Sequence, residues 1–102
     1  AAVREVRVGD PLRRYAIELV RATRVAPSVQ LGASPRASLA LLDMGRALAL
    51  FDGVEFVTPD HLHECAQAVL AHRVVIDARA RFAGQSATDV VARVLAELPV
   101  PG

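Results

Sequence analysis

The run Gly32-Ala33-Ser34-Pro35-Arg36-Ala37 puts a cation where helix electrostatics disfavour one. Ser34 has the side chain of an N-cap, and Pro35 suits the first helical position, where its missing N–H costs nothing. Arg36 then falls in the first turn, at the positive end of the helix dipole, at a cost of roughly 0.3–1 kcal/mol. A cation held there points to an anion close by. Arginine is also the side chain best shaped to hold a phosphate through two parallel hydrogen bonds. The plainer readings are a solvated arginine, or one paired with Asp43.

Other chemistry-bearing residues are less coherent. In His61-Leu62-His63-Glu64-Cys65, His61 and Cys65 share a helix face, but His63 points elsewhere. A third metal ligand would have to come from His72 or Glu64. The zinc-protease pattern His-Glu-x-x-His fails, because Gln67 holds its last position. Cys65 falls in an apolar stripe, where a free cysteine behaves as a small hydrophobe. No metal is expected. Ser34, Cys65, His63 and Asp60 are residue types of nucleophilic catalysis, but no spacing unites them, so no catalytic residue is expected within the chain. The phosphate-loop pattern G-x-x-x-x-G-K-[ST] is missing, and all 12 basic residues are arginine. The chain alone cannot supply the lysine, magnesium ligand and acid used in nucleotide hydrolysis.

Composition sets outer bounds. A length of 102 residues is one domain with room for a core, and a 53% apolar content makes it globular. Three Phe, one Tyr and no Trp leave Leu, Val and Ala to build that core, which suits close-packed helices. A net charge of +1 gives no general pull toward nucleic acid. One cysteine cannot form an internal disulfide, which favours a reducing compartment. No apolar run is long enough to cross a membrane and nothing reads as a signal peptide, so no membrane contact is expected and the cytoplasm is the default.

The spacing predicts an all-α domain: a four-helix bundle over residues 10–98, a lead-in segment over 1–9 and a Pro-rich end over 99–102. The lead-in starts abruptly, as if cut from a longer chain. The first helix is expected to open with Asp10 as N-cap and Pro11 at N1 and to end at Pro27. Leu12, Tyr15, Ala16, Leu19, Val20 and Thr23 form its apolar face. Arg13, Arg14, Arg21 and Arg24 lie opposite, as a solvated face or a docking surface for an acidic partner. Residues 28–33 read as a loop. The second helix runs from about Pro35 to Phe51, stopped by Gly53, and is apolar on two sides, as if covered on both. Residues 54–57 are extended. Thr58-Pro59-Asp60 opens a third helix that reaches about His72, with residues 74–76 a further stretch of it. Residues 78–85 connect to a fourth helix capped by Ser86 and ending near Leu98.

The order of these signals carries a resemblance. Tyr15 through Arg24, then Gly32-Ala-Ser-Pro-Arg36-Ala37, Arg46-Ala47-Leu-Ala49, Gly53, Val57-Thr-Pro59-Asp60, Val69-Leu-Ala-His72-Arg73 and Val100-Pro101 follow one another. The series, from about Val6 to Pro101, resembles the C-terminal helical lid of MoxR-family AAA+ ATPases, with magnesium-chelatase lids as more distant relatives. The resemblance implies a lid beside a P-loop domain, with ATP bound between them and magnesium held by the P-loop domain. It puts the "sensor 2" arginine, which reaches the phosphates, at Arg36. Thr23-Arg24 and His72-Arg73 match further characteristic positions and are expected to be lid scaffolding or ring contacts. The P-loop domain is absent from the sequence, so the chain resembles an excised domain, inactive alone, of a parent that hydrolyses ATP. The resemblance further implies a hexameric ring, chaperone-like action in metal insertion and complex assembly, and partners with a von Willebrand A domain. The rival readings are a stand-alone helical protein-interaction module and a small helical nucleic-acid binder, the latter disfavoured by the net charge of +1.

Overall fold

A computed structural model describes residues 6–101. Five α-helices among the described residues pack around one core: α1 (Asp10–Val25), α2 (Ala37–Phe51), α3 (Pro59–Leu70), α4 (Ala78–Phe82) and α5 (Ala87–Glu97). A 3-10 turn, Ala71–Arg73, follows α3. Two short strands, β1 (Val29–Leu31) and β2 (Val75–Ile76), pair antiparallel with an irregular register. The all-α class holds, and three local expectations change. The loop at 28–33 contains β1, residues 74–76 leave the helix to form β2, and the connector at 78–85 contains α4. Of the lead-in segment 1–9, residues 1–5 lie outside the described residues, as does residue 102 of the Pro-rich end.

Helix ends follow their local chemistry. Thr58 caps α3 and Ser86 caps α5, each accepting from the backbone N–H three residues on. Asp77 does the same for α4, its carboxylate accepting from Ala80 N at 2.7 Å. Helix α1 opens one residue earlier than expected, with Gly9 rather than Asp10 at the N-cap, which puts Asp10 in the first turn, where the dipole favours an acid. At the end of α2 the chain turns through Gly53 at φ +76°. Val54 N–H reaches Ala49 O at 3.0 Å and Gly53 N–H reaches Leu50 O at 3.1 Å, the paired bonds of a Schellman stop.

Leu19, Leu41, Leu62 and Leu70 are fully buried where α1, α2 and α3 meet. Each such burial stabilises the fold by about 1.5–3 kcal/mol. The α2–α3 crossing is close because Gly45 has no side chain: a Cβ there would stand 2.9 Å from Leu62 Cδ2 and 3.0 Å from Val57 Cγ1. Helix α5 contributes Val90, Val91 and Val94. Among the described residues the expected two-sided burial of α2 does not occur. Ala37, Leu41, Leu42, Gly45 and Ala49 face the core, while Leu39, Met44, Leu50 and Phe51 are exposed. The extended stretch at 54–57 runs parallel to the lead-in: Arg7 N–H donates to Glu55 O and Val57 N–H to Arg7 O, both at 2.9 Å.

Candidate functional site

The turn into α2 is tighter than a simple capped helix start. Ala37 N–H donates to Ser34 O at 2.9 Å and Ser38 N–H to Pro35 O at 3.2 Å, so the chain enters α2 through three-residue turns. The regular helix starts at Ala37, and Arg36 occupies the N-cap position in helical conformation. This corrects the expected role of Ser34. Its side chain makes no capping bond; the nearby hydroxyl that does bond, Ser38 Oγ, donates to Pro35 O at 2.8 Å. The first turn of α2 also contains no acid. The chain thus leaves this positive helix end without a side-chain acceptor and places a cation on it.

Arg36 is exposed, and while its carbonyl accepts from Leu39 N–H at 3.1 Å, its guanidinium makes no hydrogen bond or ion pair among the described residues. The expected alternative partner, Asp43, is held by Arg46 instead, at 2.9 Å. Arg24 and Arg73 contrast with Arg36. Arg24 lies in the last turn of α1 and Arg73 in the 3-10 turn after α3, where a helix dipole favours cations. Both line a shallow groove of about 530 Å³ whose wall is Gly32–Pro35. Arg24 and Arg73 stand where helix ends stabilise them, and Arg36 stands where one does not.

Two contacts that sequence reasoning missed hold the turn in place. Thr23, placed by spacing on the apolar face of α1 and by the resemblance among lid-scaffolding or ring-contact positions, is fully buried. Its hydroxyl donates to Val20 O at 2.6 Å and accepts from Ala33 N–H at 3.2 Å. Beside it, Gly32 lies against α1 so closely that a Cβ would stand 2.4 Å from Arg24 Cα. A polar residue in an apolar stripe was the available signal for Thr23.

The His/Cys segment is committed to structure. His61 sits at the third position of α3, where its Nδ1 accepts from Thr58 N–H at 3.0 Å and completes a capping box. With Nδ1 accepting, Nε2 carries the proton and donates to Asp52 Oδ2 at 2.9 Å. His63 points away from it, to the hydroxyl of Tyr15, whose pKa burial raises. Cys65 is buried against Leu41 and Leu62, and burial pushes its thiol up to about 11. Among the described residues no three His, Cys, Asp or Glu side chains are grouped to hold a metal ion. No helix of the described chain is long and apolar enough to cross a membrane.

The AAA lid domain family matches residues 21–94, which include Thr23, Gly32 and Arg36. The chain belongs to that family. Relatives place this lid with the MoxR type of AAA+ ATPase. It is 36% identical to the chaperone MoxR1 of Mycobacterium tuberculosis over 96 residues, covering 85% of the lid and 26% of that protein. It is 38% identical over 99 residues to an uncharacterised Bacillus subtilis protein, YeaC, covering 97% of the lid and 31% of YeaC. The crystal structure of a candidate ATPase from Cytophaga hutchinsonii superposes with a TM-score of 0.92 at 29% identity, over 99% of the lid and 33% of that chain. The lid spans about a third or less of each of these proteins.

Proposed function

We propose that this lid supplies Arg36 as the phosphate-sensing arginine of a MoxR-type AAA+ ATPase that acts as a chaperone-like ring. The observation that carries the reading is the α2 start itself: no side-chain cap, no first-turn acid, and an unpaired guanidinium among the described residues. Such an end is set up to accept an anion brought by another body. That body is the P-loop domain of the same polypeptide, with ATP in the cleft between them. Among the described residues no three His, Cys, Asp or Glu side chains are grouped to hold a metal, and in this reading the magnesium that accompanies ATP is held by the P-loop domain.

In this mechanism the ATP phosphates attract Arg36 and the lid closes on its partner domain. Hydrolysis weakens the grip and the lid reopens. Closure is only as strong as the difference in contact with the two nucleotide states. Further lid contacts to neighbouring subunits of a hexameric ring would pass that movement on, and von Willebrand A domain proteins are the class of partner the ring would serve.

The test is steady-state ATP turnover by the full-length protein. Arg36→Ala removes one charge-assisted phosphate contact, and a loss of roughly ten- to a hundredfold in the coupled step is expected. Arg36→Lys restores only part, because an ammonium cannot grip bidentately. Wild-type turnover by Arg36→Ala would remove the sensor assignment.

A further inference from the structure

We infer that Thr23 is a positioning residue for Arg36: its buried hydroxyl and the bare backbone of Gly32 form a clamp that holds the Arg36 turn to α1. The inference rests on the phosphate-sensing reading above and adds the element that aims the sensor. Consecutive residues on α1, Thr23 and Arg24, meet consecutive residues of the turn, Ala33 and Gly32. One contact is a hydrogen bond inside the core, Ala33 N–H to Thr23 Oγ1 at 3.2 Å. The other is backbone against backbone, with Gly32 so close to Arg24 that a Cβ would lie 2.7 Å from Arg24 N and 2.4 Å from its Cα. Neither atom is the free end of a side chain, so neither can yield by a rotamer change.

Little freedom remains between the clamp and Arg36. Ala33 is buried, Pro35 has its φ fixed by its ring, and Ala37 N–H closes the turn onto Ser34 O at 2.9 Å. The second hydrogen bond of Thr23, to Val20 O at 2.6 Å, orients the hydroxyl so that its lone pair faces Ala33. Valine copies the shape of threonine without that acceptor; serine keeps the acceptor and drops a methyl group.

The experiment is a double-mutant cycle on the full-length ATPase, with kcat and KM for ATP and the melting temperature read for every variant. Thr23→Val is expected to lower kcat/KM roughly tenfold, and Thr23→Ser to stay within about threefold of wild type. In an Arg36→Ala background, Thr23→Val should cost less than about twofold more, because a missing guanidinium cannot be misaimed. Gly32→Ala displaces the turn without touching the hydroxyl and should show the same non-additivity, which keeps the inference testable if Thr23→Val does not fold. Full additivity of Thr23→Val or Gly32→Ala with Arg36→Ala would overturn the clamp and leave the sensor standing. So would a Thr23→Ser enzyme as impaired as Thr23→Val. Wild-type turnover by Arg36→Ala alone is a separate result, and it would remove the sensor together with the clamp's role in aiming it.

Discussion

His61 Nε2 lies 2.9 Å from Asp52 Oδ2, tying the first turn of α3 to the end of α2 across the Gly53 turn. The same imidazole accepts from Thr58 N–H through Nδ1 at 3.0 Å, so both ring nitrogens serve the helix junction. Asp52 is about half exposed, which limits the worth of its own contact.

His61→Ala is expected to destabilise the domain by about 2 kcal/mol, because it removes a buried ring and leaves the Thr58 N–H without its partner. His61→Gln keeps a capping-box acceptor and should recover part of the loss. Asp52→Asn keeps an acceptor for the Nε2 proton and should cost under about 1 kcal/mol. Chemical denaturation of the three variants checks this order; an Asp52→Asn loss equal to that of His61→Ala would show that the Asp52 contact, not the cap, holds the junction.

Gly45 sets two opposing effects against each other. Alanine gains about 1 kcal/mol of helix propensity over glycine. The added Cβ would meet Leu62 Cδ2 at 2.9 Å and Val57 Cγ1 at 3.0 Å, and overpacking of this kind costs about 1–3 kcal/mol. Gly45→Ala is therefore expected to lose about 1 kcal/mol net, and Leu62→Val should lessen that loss when combined with it. Melting of the two single variants and the double variant measures the coupling; a Gly45→Ala protein more stable than wild type would mean that the α2–α3 crossing opens freely.

Cys65 should behave as an inert core side chain. Burial pushes its thiol up to about 11 from an ordinary 9.0, so a thiol reagent at neutral pH should label it only when the fold opens. The unfolded chain loses this proton at lower pH than the native chain. The contribution to stability is therefore intact below pH 9.0 and falls as pH rises toward about 11. Cys65→Ala removes a small buried group, costs about 1 kcal/mol and should flatten that alkaline decline. An unchanged decline in Cys65→Ala would assign it to another group.

The 102-residue chain alone is expected to be helical and to hydrolyse no ATP, since it has neither a lysine nor a phosphate loop. Within it, Arg36→Ala should shift stability by no more than about 0.5 kcal/mol, or raise it slightly, because the cation sits against the helix dipole. Circular dichroism, melting and a phosphate-release assay test both statements. Strong destabilisation by Arg36→Ala would make Arg36 a structural ion-pair residue.

Signals confined to a few neighbouring residues were legible in the sequence. Thr58-Pro59 and Ser86 marked helix starts, Gly53 marked a stop, and the apolar spacing of α1 and α5 identified their buried faces. Arg36 stood out because Ser34-Pro35 marked a helix start beside it, but the regular helix opens at Ala37, which puts Arg36 at the N-cap rather than inside the first turn. What escaped depends on distant partners. Val75–Ile76 is too short to show a strand period, and it is a strand only because Val29–Leu31 lies beside it. The five residues of α4 are fewer than two helical turns. Thr23 looks apolar by position until Ala33 supplies its donor. The period of α2 reports which residues are apolar and not what covers them, so exposed Met44 and Phe51 read the same as buried Leu41.

The pairing of β1 with β2 also bears on the order in which the molecule comes apart. It closes a long loop that contains α2 and α3, with only a few backbone bonds at an irregular register, so entropy works against it. Thr23 and Ala33 are ten residues apart in sequence, and their bond lies inside the core. Local openings should therefore start at the strand pair, with β1 fraying from β2 while the turn beyond it stays docked on α1. The segment carrying Arg36 is attached on its stable side and frays on its weak side. Backbone amide exchange would then divide within a few residues, fast along β1 and slow at Ala33.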